Sequence, residues 1–210
     1  MSPHLSIEKL VTSGKFRLDG GEWDVDNNVY LIGTGHEVII VDPSHDAQAI
    51  YDSVGERTVL FVLLTHAHND HCELAPEVAQ HYGVDVYLHP DDQVLWEESN
   101  GDAPFIPLAD GHTFSVAGQT VKVIHTPGHS PGCVVVYLPA EKTLLSGDTL
   151  FNGGPGATGR KYSSFEVIID SLRTKVFTLP GETAVLPGHG DATTIGAEAA
   201  RLDEYIARGY

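Results

Sequence analysis

The chain has 210 residues, 41% hydrophobic and 20% charged, a balance that suits one globular domain and excludes disorder. Lys plus Arg is 12 against 29 Asp plus Glu, a formal charge of −17, and a surface this acidic repels nucleic acid and anionic membranes. Two cysteines are too few for a disulfide framework, no apolar run reaches the ~18 residues of a membrane span, and the N-terminus has no apolar signal core, so a cytoplasmic protein is expected.

Residues 22–32 alternate loosely and read as a strand; Gly33-Thr34-Gly35 turns, and residues 38–41 form a short apolar strand ending at Asp42-Pro43. Asp46 caps a helix through about Val54. Residues 59–64 are a continuous apolar run, as in a strand buried on both faces. A helix over 70–82, ended by Gly83, leads to a strand over 84–88 and a helix over 91–98. Residues 119–124, 133–138 and 143–146 read as strands. Residues 152–159 hold four glycines and one proline, which fits neither a helix nor a strand interior. Ser163 with Glu166 makes a capping box for a helix to about Phe177. A last strand over 184–186 and a last helix over 195–208 complete the chain. No repeat or linker divides it, so residues 1–210 are expected to form a single domain of the layered α/β class.

The strongest signal follows the buried strand: Thr65-His66-Ala67-His68-Asn69-Asp70-His71. Chance gives roughly 0.003 matches to His-x-His-x-Asp-His in a chain with 12 His, so the pattern calls for a reason. His66 and His68, two apart in extended chain, point the same way. Asp70 and His71 lie at a helix start, where the dipole favours a carboxylate. Crowding three imidazoles and a carboxylate into six residues is costly without a cation. Three further residues each follow a short strand and sit beside glycine: His129, Asp148 and His189. Glycine and proline there set tight turns and let backbone approach closely.

With those motifs in order across nearly the whole chain, starting at the Asp42 turn, the sequence resembles the metallo-β-lactamase superfamily. The resemblance implies an αββα sandwich with metals at the edge between two sheets. It implies that His66, His68 and His129 hold one metal, that Asp70, His71 and His189 hold a second, and that Asp148 bridges both. Asp70 is also the candidate catalytic residue, and Asp42 would support the metal-binding loops, if it is not simply a turn residue before Pro43. Independently of family, imidazole and carboxylate donors without thiolate suit Zn²⁺, with Fe²⁺ or Mn²⁺ as alternatives. Two such ions can share a water and bring its pKa near 7, giving a hydroxide nucleophile at neutral pH. Cys72 and Cys133 read as small core residues. His4, His36, His45, His81, His89, His112 and His125 read as surface or hydrogen-bonded, with one of them near the substrate. Trp96, Phe105 and Phe114 read as core.

Residues 147–151 and 179–183 are similar to glyoxalase II-type hydrolases, which cleave thioesters of a low-molecular-weight thiol. That likeness implies a thioester substrate and substrate contacts from Arg160, Lys161 and Tyr162. The family's usual Gly-Cys-Gly-Arg run is replaced by Gly153-Gly154-Pro155-Gly156-Ala157-Thr158-Gly159-Arg160, and the chain ends about twenty residues after His189, without the extra glutathione-gripping helical domain of the full-length family. That longer loop, with the ending Gly190-Asp191-Ala192-Thr193-Thr194-Ile195-Gly196, looks like short actinobacterial relatives, some thought to serve mycothiol. A mononuclear iron persulfide dioxygenase is the alternative reading, and a lactonase the third. The expected partner is a small-molecule thioester, with no nucleic acid and no membrane; the sequence leaves the oligomeric state open.

Overall fold

The computed structural model describes residues 4–18 and 20–209; Met1 to Pro3, part of the N-terminal stretch read for a signal, lie outside them. The chain opens with a long hairpin of β1 (Ser6–Leu18) and β2 (Gly21–Gly33), paired in register from Ser6↔Gly33 to Leu18↔Gly21. Sequence reading expects only the second strand. The first is exposed or half-buried everywhere but at Thr12, and its apolar residues, Ile7, Leu10, Val11, Phe16 and Leu18, keep no regular period to detect.

Next come β3 (Glu37–Val41), α1 (Ala47–Val54) and β4 (Thr58–Leu63). The Asp46 side chain caps α1 by accepting from the Ala49 amide at 3.0 Å. The helix expected over 70–82 is two helices, α2 (Asn69–Cys72) and α3 (Ala75–Tyr82), broken just before Pro76 because proline belongs in a first turn. After α3 come β5 (Val86–Leu88), a 3₁₀ turn at Pro90–Asp92, α4 (Gln93–Asn100) and β6 (Ile106–Pro107). Together β1 to β6 form one sheet in sequence order, antiparallel through β3 and parallel from β3 to β6.

The second sheet is built from β7 (Thr113–Val116), β8 (Gln119–His125), β9 (Val134–Leu138) and β10 (Thr143–Gly147). After it, β11 (Leu150–Phe151) pairs with β12 (Gly154–Pro155) inside the glycine-rich stretch, so a two-residue ladder exists where sequence reading expects none. Gly153 and Gly154 take positive φ there, which permits the tight reversal. Then follow α5 (Phe165–Thr174), β13 (Ala184–Pro187), β14 (Thr193–Thr194), α6 (Ile195–Ala199) and α7 (Leu202–Arg208). The α5 cap is Ser164, which accepts from the Val167 amide, not Ser163, whose hydroxyl is turned to Arg160. The sheet order is β14-β13-β10-β9-β8-β7.

Period-two burial stacks these pieces into four layers. Along β2, Tyr30 and Ile32 face between the sheets with Phe61 and Leu63 of β4, meeting Val121, Val123, Val134 and Val136 of the second sheet. The alternate residues Val29 and Leu31 face the opposite way and pack with Val38, Ile40, Ile50, Val78 and Trp96 under α1, α3 and α4. On the far side Ile124, Val135, Leu144 and Val185 pack against Ile168, Leu172, Ile195 and Tyr205 of α5 to α7. Helices, sheet, sheet, helices is the αββα sandwich expected from the sequence. Trp96 is fully buried, whereas Phe105 and Phe114 are half-buried at the margins of the core.

Candidate metal centre

Each chemistry-bearing residue sits just past a strand end. The run from Thr65 to His71 follows β4, His129 lies in the β8–β9 loop, Asp148 follows β10, and His189 follows β13. The ends of β4 and β10 are buried, so the loops after them are held firmly while their side chains meet between the sheets.

His66 Nε2 and His129 Nε2 lie 3.1 and 3.0 Å from His68 Nδ1. One nitrogen cannot donate to both neighbours, and three imidazole nitrogens this close suit a shared tetrahedral cation, whose nitrogen ligands stand about 3.3 Å apart at ~2.0–2.1 Å from the ion. A second set adjoins it: His189 Nε2 lies 3.2 Å from His71 Nε2 and 3.3 Å from Asp70 Oδ2. Asp148 stands between the two, Oδ2 being 3.5 Å from His129 Nε2 and 3.5 Å from His189 Nε2, and Oδ1 3.4 Å from His71 Nε2. The structure therefore brings all seven expected residues together. Asp70 Oδ1 and Asp148 Oδ1 are buried without a hydrogen-bond partner, an expensive arrangement that a divalent cation relieves. Donor set and geometry both fit such an ion.

The remaining ring nitrogens are fixed from behind. His129 Nδ1 donates to the Ala157 carbonyl at 2.8 Å and His189 Nδ1 to the Asp26 carbonyl at 2.7 Å, leaving each Nε2 lone pair for the centre. Asp42 does more than turn the chain. Its Oδ1 accepts from the Thr65 amide at 2.7 Å, and its Oδ2 from Thr65 Oγ1 at 2.6 Å and His71 Nδ1 at 3.1 Å. Thr65 Oγ1 in turn lies 3.1 Å from His66 Nδ1. One buried carboxylate thus orients a histidine of each set.

Two further residues escape a reading by motif. Asn27, on β2, donates Nδ2 to Asp70 Oδ2 at 3.1 Å, and its Oδ1 meets His45 Nε2 at 2.8 Å, which brings His45 to the edge of the centre. Asp92 is fully buried and accepts from the Ala67 amide at 2.9 Å, Ser130 Oγ at 2.7 Å and the Gly132 amide at 2.5 Å. It bolts the His66–His68 segment to the His129 loop. A polar pair in an apolar strand, Asn27-Asn28, and a carboxylate soon after a parallel strand, Asp92, are the signals that point to them.

The charges follow from this crowding. Burial opposes ionisation of Asp70 and Asp148, but the His71 and His189 rings outweigh it, holding Asp70 down to about 2 and Asp148 well below the usual carboxylate range. Burial likewise opposes charge on His71 and His189, yet the Asp148 and Asp70 carboxylates raise both, His189 to about 10. His66 and His68 stay neutral, lowered first by burial and then by neighbouring imidazoles. Protons on His71 and His189 balance the same carboxylates a cation would balance. Metal uptake at pH 7 is therefore expected to release protons and to tighten as pH rises toward 10. Calorimetric titration in buffers of differing ionisation enthalpy measures the release; uptake without proton release would contradict it.

Glycine makes the close approach possible at one point. A Cβ on Gly188 would stand 2.4 Å from Asp148 Oδ1 and 2.6 Å from His71 Cε1, while its backbone is one that any residue adopts. Gly188→Ala is expected to weaken metal binding about tenfold through displaced donors, measured by competition with a chromophoric chelator, with the fold retained.

Cys72 and Cys133 are buried free thiols pushed upward by burial, packed near the Ala67 carbonyl and Ser130. A cavity of about 160 Å³ opens onto His68, Asp70, His129, Asp148 and His189, with Phe16, Val25, Phe151, Ala157 and Arg160 as its remaining walls. Of the three expected substrate residues only Arg160 lines it. The Arg160 guanidinium lies over the Phe16 and Trp23 rings, at 5.1 and 5.2 Å. Lys161 instead pairs with Glu98 at 3.6 Å, and Tyr162 is exposed with positive φ.

A sandwich that gathers imidazoles and carboxylates on loops between two sheets belongs to the metallo-hydrolases. Within that class the chain is a member of the metallo-beta-lactamase superfamily, whose family model matches residues 23–189. It is 32% identical over 176 residues to hydroxyacylglutathione hydrolase GloC of Haemophilus influenzae, covering 76% of this chain and 82% of that one. The uncharacterized protein Rv2581c of Mycobacterium tuberculosis is 33% identical over 199 residues, covering 81% and 89%. The solved structure of TTHA1623 in a di-iron-bound form superposes with a TM-score of 0.73 at 35% identity, covering 83% of this chain and 93% of that one. Among the described residues no helix is long and apolar enough to cross a membrane.

Proposed function

We propose that the chain is a binuclear metal-dependent hydrolase of thioesters formed by a low-molecular-weight thiol, of the acyl-glutathione or acyl-mycothiol kind. The observation that carries this is the Asp148 carboxylate, set within 3.5 Å of both imidazole sets; likeness to a hydroxyacylglutathione hydrolase supports the substrate class. His66, His68 and His129 would hold one ion, Asp70, His71 and His189 the other, and Asp148 both. Zn²⁺ suits these donors, and the di-iron form of TTHA1623 supports Fe²⁺ as an alternative, with Mn²⁺ a third. Divalent cations held there supply Lewis acidity, polarising a carbonyl and acidifying water.

The protein's own part is to position and to hold protons. Asp70, the candidate catalytic residue, turns Oδ2 toward His71 and His189, and its unpartnered Oδ1 would hold the cation and orient the water there. The leaving thiol has an ordinary pKa near 8.5 and departs as thiolate without an acid. Phe16, Val25 and Phe151 keep the cavity apolar around the reacting carbonyl. The −17 charge supports a small-molecule substrate over nucleic acid or membrane, and two free thiols fit a cytoplasmic setting.

Thiol release from acylated thiols by metal-replete protein tests the reading. Oxygen consumption with a thiol persulfide, and acylated thiols left intact, would replace it with the dioxygenase. Arg160→Ala, which removes one wall of the cavity and its donors, is expected to raise KM about three- to fivefold, the worth of about one net hydrogen bond to substrate, and to change kcat less. Tyr162→Phe should leave both constants within twofold. Steady-state kinetics on one thioester measures both variants; an unchanged KM in Arg160→Ala would reduce that residue to a loop anchor.

A further inference from the structure

Asp70 brings to the centre one oxygen with a protein donor and one without. Oδ2 accepts from Asn27 Nδ2 at 3.1 Å, while Oδ1 is buried and unpartnered. Which oxygen is left for a cation therefore depends on Asn27, and Asn27 is itself held from behind. Its Nδ2 lies 3.0 Å from the Asp70 carbonyl oxygen and 3.3 Å from His71 Nε2, and its Oδ1 lies 2.8 Å from His45 Nε2. Both Asp70 oxygens only accept, so the amide must turn its NH₂ toward them and its oxygen toward His45. A flipped amide would set oxygen against oxygen twice in buried surroundings. His45 Nε2 consequently carries a proton and donates it to Asn27 Oδ1.

Two backbone features place His45 for this. It takes a positive φ of 58° in the turn between β3 and α1, a conformation in which histidine is enriched and β-branched residues are outliers. Its ring lies against β1 at Gly14, where a Cβ would stand 2.1 Å from His45 Nδ1 and 2.4 Å from its Cγ. Gly14 is not among the positive-φ glycines, so the missing side chain serves the ring and not the path of the chain. Burial pushes the His45 ring below its ordinary pKa, which suits a neutral ring with its one proton on Nε2. The same turn reaches His71 directly through Asp42, and His66 through Asp42 and Thr65.

Resting on the binuclear reading of the centre, and on no particular substrate, we propose that His45 is a positioning residue for the second metal set. It fixes the Asn27 amide, and that amide fixes the Asp70 carboxylate with Oδ1 left for the cation.

Stepwise metal affinity, measured by competition with a chromophoric chelator, tests this. Asn27→Ala is expected to weaken one of the two ions about 10–100-fold, the usual cost of losing an outer partner of a ligand, and His45→Ala the same ion about three- to tenfold. Because His45 acts through Asn27, the double variant should match Asn27→Ala within about twofold. His45→Gln, whose amide N–H reaches toward the same oxygen, should recover most of the loss. Gly14→Ala, which pushes the ring aside and leaves its chemistry intact, should reproduce His45→Ala. Effects that multiply in the double variant, a loss that His45→Gln does not recover, or an affinity untouched in both His45→Ala and Gly14→Ala overturns the proposal. If the wild-type protein takes a single ion, the binuclear reading fails by itself; the proposal then stands if His45→Ala weakens that ion and falls if it does not. Ring nitrogen NMR of the zinc-loaded and metal-free protein gives a reading independent of affinity. His45 is expected as the Nε2–H tautomer, with a proton that Asn27→Ala releases to rapid exchange. An Nδ1–H tautomer overturns the assignment.

Discussion

Asp148→Asn is expected to abolish activity, lowering kcat/KM by about three orders of magnitude or more, and to leave less than one metal ion per chain where the proposed centre takes two. The reason is geometric. Asp148 reaches the facing Nε2 atoms of both sets, with Oδ2 at 3.5 Å from His129 and His189 and Oδ1 at 3.4 Å from His71. Asparagine has the same shape but offers one neutral oxygen and turns an amide toward a cation. Because the shape is kept, the circular dichroism spectrum should be that of the wild type. Elemental analysis after identical metal loading measures the stoichiometry. Two ions per chain in the variant would mean that Asp148 does not join the sets.

Asp42→Ala is expected to have the next largest effect, although Asp42 belongs to neither set. Its loss strips the Thr65 amide, Thr65 Oγ1 and His71 Nδ1 of their shared acceptor, all in buried surroundings. Buried donors left without acceptors cost about 1–3 kcal/mol each. A net loss of about 3 kcal/mol lowers Tm by roughly 6–12 °C in a domain of this size. Alanine must also adopt the positive φ of 52° that Asp42 takes, which an Asp or Asn tolerates better. Metal affinity should fall about 10–100-fold, as for other outer partners of metal-binding histidines. Asp42→Asn restores the backbone preference and one acceptor, and should recover part of the Tm but less of the affinity. Calorimetry and chelator competition separate the two effects; equal recovery of both would make Asp42 a turn residue and nothing more.

The sequence was informative where hydrophobic period and unusual spacing coincide. The β4 run announces a strand buried on both faces, and the histidines crowded after it mark the place where that strand ends. His129, Asp148 and His189 were legible because glycine turns after short strands are few. Other features lacked such a signature. β1 mixes polar and apolar residues without a period because it lies at a sheet edge, exposed or half-buried along nearly all its length. Neighbouring Ser163 and Ser164 both suit a cap, and only the path of the preceding loop decides between them. Asn27 and Asp92 act across the fold, on residues 43 and 38 positions away, and no local pattern encodes that contact. Tyr162 and Lys161 look like their neighbour Arg160 in sequence, but Tyr162 is exposed with positive φ and Lys161 turns to Glu98, and neither lines the cavity over the donors.

The β1–β2 hairpin separates two kinds of change. None of the seven expected metal residues comes from it, while Phe16 and Val25 of the cavity do. Its outer strand has no neighbour beyond it in the sheet. Changes confined to the far end of that ribbon, beyond Asp26 and Asn27, which hold His189 and Asp70, can alter what the protein recognises without moving a metal donor. Descendants of such a chain can diversify in what they recognise while the reaction they perform stays the same.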